Sequence, residues 1–152
     1  MPGIGVVGVT PTPPDPPAAE MPELGFYTLA GHANSSRDLV DEVRLGEAMG
    51  FGSVFISERF DKKEVAVLSG AAGAVSDRIS IVTAATNHNT RHPMITAAMA
   101  RTMQSLTGGR FVLGLGRGIP LMQDSYGFGR ISTAQLEDFV RALTRPVIAA
   151  PR

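Results

Sequence analysis

The most constraining feature of this sequence is an alternation of short apolar runs with stretches of helical spacing, kept from Glu23 onward. Leu24 to Leu29 reads as a strand. A helix is predicted from about Ser36, where Ser35 and Asp38 have capping-box spacing, with Leu39, Val43 and Gly46 on one face and Gly50 as its stop. Ser53 to Ser57 is the second strand, Lys63 to Val75 an alanine-rich second helix, and Ile79 to Thr83 the third strand. Pro93 opens a helix where its missing N–H costs nothing, and Ile95, Ala98, Met99, Met103 and Leu106 follow at helical spacing. Phe111 to Leu115 is the fourth strand. Ser132 and Gln135 again fit a capping box, before Leu136, Phe139, Val140 and Leu143. The order β-α-β-α-β-α-β-α means a parallel sheet with right-handed crossovers. Strands two to four are near-continuous apolar runs, the pattern of strands covered on both faces. An open doubly wound sheet and a wall of a closed barrel both remain compatible with the spacing.

The chain ahead of this pattern is different. Seven of the eleven prolines fall in residues 1–22, where TPTPPDPPAAEMP supports neither a ladder nor a helix. We read residues 1–22 as a disordered proline-rich tail, 23–145 as the folded unit and 146–152 as a second, off-pattern tail. Cysteine is absent, which excludes disulfides, zinc thiolates and cysteine nucleophiles together. A formal net charge of zero argues against a nucleic-acid or membrane-surface partner, since both usually need a basic surplus. The apolar start from Ile4 to Val9 lacks a basic flank and runs into prolines, so the expected location is cytoplasmic. The charge is nevertheless uneven: residues 1–77 carry 5 basic and 11 acidic side chains, residues 78–152 carry 9 and 3.

In both candidate architectures ligands bind beyond the carboxyl ends of the strands. Thr28, Gly31 and His32 follow the first strand, and Ser57, Glu58, Arg59 and Asp61 the second. Thr86, Asn87, His88, Asn89, Arg91 and His92 follow the third, and Gly116, Arg117 and Gly118 the fourth. All three histidines therefore fall on one rim. Gly114 to Gly118 reads G-x-G-x-G after the last strand, not the G-x-G-x-x-G of a dinucleotide site after the first. It suits a glycine loop that approaches a ring or phosphate closely, or simply a turn with positive φ. His88 and His92 share no helical face and have no nearby carboxylate, so no metal site is expected. His88 is a candidate hydrogen-bond donor to a ring, or else a loop histidine satisfied by backbone. Arg117 suits an anionic group that its planar fork binds bidentately, or pairs with Asp124. No nucleophile elbow or carboxylate pair points to hydrolysis.

EAMGFGSVFISERF (Glu47 to Phe60), SDRISIVTAATNHNTRHP (Ser76 to Pro93) and SLTGGRFVLGLGRG (Ser105 to Gly118) together resemble the luciferase-like monooxygenase superfamily. The branch that uses the deazaflavin coenzyme F-420 is the most similar, and the resemblance covers residues 23–144. It implies a TIM-type (β/α)₈ barrel with the coenzyme across the carboxyl ends of its strands, and flavin mononucleotide (FMN) as the alternative cofactor. It further implies a bulge after the third strand, often with a non-proline cis peptide, at Thr83, Ala84 and Ala85. Glu58 matches a ring-contacting position, and Gly116, Arg117 and Gly118 a cofactor-contacting loop. The implied reaction is hydride transfer between the coenzyme and a small organic substrate. On this basis Glu58, Arg59 and His88 are the catalytic candidates. Glu58, Thr83, Ala84, Asn87, His88, Gly116, Arg117 and Gly118 are the cofactor-binding ones. Members that oxidise sugar phosphates carry histidine and glutamate where Arg59 and Ile119 stand, so that substrate class is not expected.

A closed barrel of this kind takes about 250 residues, whereas four β/α units are present here. The expectation is a truncated (β/α)₄ half barrel, whose open apolar face needs self-association to be covered. A non-catalytic fragment that only associates or binds is the competing reading.

Overall fold

A computed structural model describes residues 20–31 and 33–144; His32 and both expected tails up to residue 19 and from residue 145 lie outside the described residues. Strands β1 (Met21–Tyr27) and β2 (Phe51–Ile56) are joined through α1 (Asp38–Ala48). Helix α2 (Val65–Ala74) leads to β3 (Ser80–Thr83) and a short β4 (Thr86–Asn87). Then follow α3 (Pro93–Leu106), β5 (Phe111–Val112), β6 (Leu115–Gly116), α4 (Pro120–Ser125) and α5 (Thr133–Leu143).

β1, β2, β3 and β5 form one parallel sheet in that order. A doubly wound sheet reverses its strand order at a switch point. None occurs among the described residues, and the strands stand side by side in chain order. In register, Phe26, Val54, Ile81 and Phe111 form one row across the sheet. This row packs with Leu39 and Val43 of α1, Val65, Leu68 and Ala72 of α2, and Met103 of α3 in a single core. All three helices therefore cover the same face, as right-handed crossovers in sequential order require.

The next residues along each strand point the other way. They form the row Tyr27, Phe55, Val82 and Val112. Tyr27 is 56% exposed and Val112 51%. Apolar runs in these strands predict cover on both faces, but among the described residues helices cover one face alone.

Several boundaries move for identifiable reasons. Strand β1 starts at Met21, ahead of the expected Leu24, so Met21 and Pro22 belong to the sheet. Pro22 is tolerated because β1 is an edge strand. The strand stops at Tyr27 because Leu29 turns with φ of 51°. The Glu42 carboxylate holds this turn by accepting from Thr28 Oγ1 (2.6 Å) and Leu29 N (2.7 Å). Helix α1 begins at Asp38 without the expected capping box, since Ser35 Oγ instead accepts from the Arg37 N–H. At α5 the box forms fully: Ser132 Oγ accepts from Gln135 N, and Gln135 Oε1 from Ser132 N.

The expected fourth strand, Phe111 to Leu115, is broken at Gly114. Thr83 Oγ1 accepts from Gly114 N (2.8 Å) and donates to Gly114 O (2.9 Å), which pulls the two backbones together. A Cβ on residue 114 would sit 2.0 Å from Thr83 O, so only glycine fits. Strands β3 and β5 thus jog at the same level, and their continuations β4 and β6 pair as a separate two-stranded sheet at the carboxyl rim. The Ala84–Ala85 peptide at this jog is cis, where the bulge is expected. At the opposite end, the Glu47 carboxylate accepts N–H bonds from Asp77, Arg78 and Ile79, tying the end of α1 to the start of β3.

Candidate functional site

The rim sheet β4–β6 and the loops beside it enclose a cleft of about 650 Å³ at the carboxyl ends of the strands. Its floor is built from small residues: Ala84 and Ala85 after β3, and Gly116 and Gly118 after β5. Asn87 and Gln123 supply amides at one side. Phe60, Met122 and Tyr126 supply an apolar wall, in which Phe60 meets Tyr126 edge-on at 5.4 Å between ring centroids. Gly118 adopts φ of 76°, and a Cβ there would lie 2.1 Å from Gln123 Nε2 and 2.7 Å from Asn87 Oδ1. The glycine loop therefore brings backbone close to these amides, which side chains at residue 118 would prevent.

Beneath the cleft lies a buried ionic knot. The Glu58 side chain has no exposure. It accepts from Thr86 Oγ1 (2.7 Å), Asn87 N (3.1 Å), and both terminal nitrogens of Arg91 (3.2 and 2.5 Å). Arg91 also donates to Thr86 Oγ1 (2.6 Å) and to Glu64, the N-cap of α2. One guanidinium thus ties the β2 rim, β4 and the start of α2 together. Burial alone would lower the Arg91 pKa, but its bonds to Glu58 and Glu64 outweigh this and raise it. Burial raises the Glu64 carboxyl, while N–H bonds from Val67 and Ala66 and the bond to Arg91 more than reverse that and lower it.

Of the residues expected at the site, Arg59, Ala84, Asn87, Gly116 and Gly118 line the cleft, and Glu58 borders it through its backbone alone. Arg59 sits at its edge, donating to Gly31 O at 3.3 Å. Three others do not line it. Thr83 is fully buried and bonded to Gly114. His88 is 6% exposed, and its ring packs edge-on against Phe139 of α5, because β4 directs Asn87 to the cleft and the next residue to the opposite side. Arg117 donates to Thr133 Oγ1 (3.1 Å) at the start of α5 and not to Asp124. A ring hydrogen bond from His88, and cofactor contacts by Thr83 or the Arg117 side chain, would need a different arrangement. Residues absent from the expected set are Ala85, Phe60, Met122, Gln123, Tyr126 and Arg91. Arg91 stood on the rim in the sequence, but nothing local tied it to Glu58. Gln123 belongs to α4, six residues long and too short to show a period.

Fold and site together define an α/β unit with sequential parallel strands and a ligand-sized cleft at their carboxyl ends. A sequence profile of the luciferase-like monooxygenases matches residues 11–146, and the chain belongs to that family. The 5,10-methylenetetrahydromethanopterin reductase of Methanolobus tindarius is 31% identical over 84 residues, 55% of this chain and 26% of that protein. Among solved structures, the coenzyme F-420-dependent tetrahydromethanopterin reductase of Methanopyrus kandleri superposes with a TM-score of 0.61 at 25% identity, over 68% of this chain and 29% of that one. The FMN complex of the oxygenating constituent of 3,6-diketocamphane monooxygenase from Pseudomonas putida gives 0.64 at 21% identity, over 78% and 36%. The chain thus spans between about a quarter and somewhat over a third of the length of these relatives. No helix among the described residues is long and apolar enough to cross a membrane.

Two outcomes are expected of the ionic knot. Arg91→Ala leaves the Glu58 charge buried and unpaired, and urea unfolding should show a loss of about 3–5 kcal/mol. The Glu64 carboxyl lies lower in the folded chain than in the unfolded one. Its contribution is therefore present above the unfolded value and lost as pH falls through the folded value. Urea midpoints should fall below about pH 4.5, and fall less steeply in Glu64→Gln.

Proposed function

We propose that this chain carries a deazaflavin site of the luciferase-like family and serves hydride transfer between coenzyme F-420 and a small organic substrate. The observation that carries this reading is the side-chain-poor floor of the cleft, Ala84, Ala85, Gly116 and Gly118, beside an apolar wall. A flat conjugated ring needs such a surface, and about 650 Å³ lies within the usual range for ligand pockets. The floor is also intolerant of bulk, since a Cβ on Gly116 would already meet the Ala85 Cβ at 3.2 Å. The likeness to F-420-dependent reductases supports the choice of coenzyme, and the FMN-bound relative supports FMN as the alternative.

When bound, the deazaflavin supplies the hydride-transferring carbon, and the protein supplies orientation and electrostatics. Asn87 is the polar group best placed to orient a ring, because the Gln123 amide bonds its Oδ1 (3.4 Å) and β4 fixes its backbone. Glu58 acts through that backbone, accepting the Asn87 N–H, and its carboxylate is already engaged by Arg91. Arg59 stays protonated, so it serves as a positive charge at the cleft edge and not as a base. Ala84 and Ala85 back the ring, and Gly116 and Gly118 admit it.

The whole activity also requires cover for the sheet face that carries Tyr27, Phe55, Val82 and Val112, and we propose self-association as its source. Sedimentation velocity of the purified chain should show a discrete dimer; a monodisperse monomer removes this part of the reading. Binding is tested by the fluorescence of coenzyme F-420. Quenching or a shift at micromolar protein is expected, with a loss on the order of tenfold, about 1.4 kcal/mol, in Gly116→Val at unchanged circular dichroism. No spectral change up to millimolar protein overturns the assignment. A protein that purifies yellow with FMN replaces F-420 by the alternative.

A further inference from the structure

Next to the cleft lies a second cavity, of about 300 Å³, between the loop after β1 and the loop after β2. Arg59 and Lys62 line both, so the two spaces adjoin at that edge. Its inner wall is Lys63, which is only 6% exposed. The Lys63 ammonium donates to Leu29 O (2.9 Å) and Ser57 Oγ (3.0 Å). That accounts for two of its three hydrogens. It forms no ion pair among the described residues. Buried charges are ordinarily paired, so an ammonium whose hydrogen bonds all go to neutral oxygens is an exception that calls for a cause.

The surroundings increase the imbalance. Burial first, and the Arg59 guanidinium second, push the Lys63 pKa down, while Glu42 pulls it partly back. Glu42 lies in no ion pair with Lys63, and one of its oxygens, Oε2, is engaged by Thr28 Oγ1 and Leu29 N. Arg59 donates to Gly31 O, again a neutral partner. The outer wall is polar and small: Asn34, Ser35 and Ser36. Ser35 Oγ accepts from Arg37 N, which leaves its own hydrogen available for donation. Two cations hydrogen-bonded to neutral partners, facing the Ser35 hydroxyl and the Asn34 amide across a cavity with no carboxylate among its described lining residues, have the composition of an oxyanion receptor.

We propose that this cavity is an oxyanion subsite, in which Arg59, Lys63 and Ser35 bind the carboxylate or phosphate of a ligand that extends from the adjoining cleft. That the ligand extends from a coenzyme site rests on the function proposed above; the anion subsite itself does not. The shared chemistry has two sources, an acidic group on the organic substrate or an anionic group of the coenzyme. With the flat floor of the cleft taken by a ring, an acidic substrate would place its charged end at Arg59 and its reactive part over the ring.

Calorimetric titration of the full chain with inorganic phosphate tests this, with succinate as the carboxylate probe and sodium chloride at matched ionic strength as the control. Saturable binding of phosphate or succinate is expected, weakened at least fivefold in Arg59→Gln, whose exposed side chain is outside the core. Phosphate-dependent shifts of the Gly31 and Asn34 amide resonances in the unaltered chain give a second readout that needs no variant. Binding no stronger than that of chloride, an affinity unchanged in Arg59→Gln, or shifts confined to other residues overturns the subsite. Repeating the titration with coenzyme F-420 present separates the sources. Phosphate affinity that is unchanged assigns the subsite to the substrate, and competition assigns it to the coenzyme. Because phosphate binding is read without coenzyme, its failure is distinguishable from failure of F-420 to bind.

Discussion

The carboxyl rim depends on one buried charge. Glu58 follows a core strand with its carboxylate removed from water, a position tolerable only if the charge is paired and hydrogen-bonded. Arg91 answers that demand from 33 residues further along, and in doing so reaches Glu64 and Thr86 as well. The segment from Thr86 to Arg91 is thereby strapped across the end of β2. Asn87 takes its place in the cleft because the same carboxylate holds its N–H. Neutral partners would supply the same hydrogen bonds singly; a guanidinium fork supplies several from one rigid plane.

Below the rim the constraint is steric. The sheet is singly wound, so its helices share one side and one core, and the cleft opens at the strand ends. The transition between these two regions runs through Thr83 and Gly114. Their hydroxyl-to-backbone bonds replace the ladder at the level where both strands jog, which lets β4 and β6 leave the sheet without abandoning backbone polar groups. Small residues on the cleft floor follow from the same geometry, since Gly116 lies against Ala85.

Features set by neighbours in sequence were legible in the chain; those set by neighbours in space were less so. The β/α alternation, Pro93 at the start of α3 and the capping box of α5 are local, and they stand where the spacing places them. The jog at Gly114 was hidden, because a glycine run at the end of an apolar strand says nothing about Thr83 31 residues away. His88 looked like a rim residue because it is polar and follows a strand. Which side it faces depends on where β4 starts, and one residue of register reverses that. The resemblance placed Glu58 and the glycine loop in the cleft, but not the burial of the Glu58 carboxylate. Lys63 read as the first residue of a helix; in the structure Glu64 caps that helix, and Lys63 is free to turn inward.

The separation of the rim sheet from the main sheet has a consequence for variation. Strands β4 and β6 hydrogen-bond to each other and are not part of the β2–β3–β5 ladder, so the cleft has a backbone frame of its own. Residues of this frame pair within a two-stranded sheet, outside the register of the four-stranded core, and Thr86 and Asn87 alone among them are tied to Glu58 at the β2 rim. A chain organised in this way can alter what it recognises in small steps, with the pivot residues Thr83 and Gly114 as the positions least free to change.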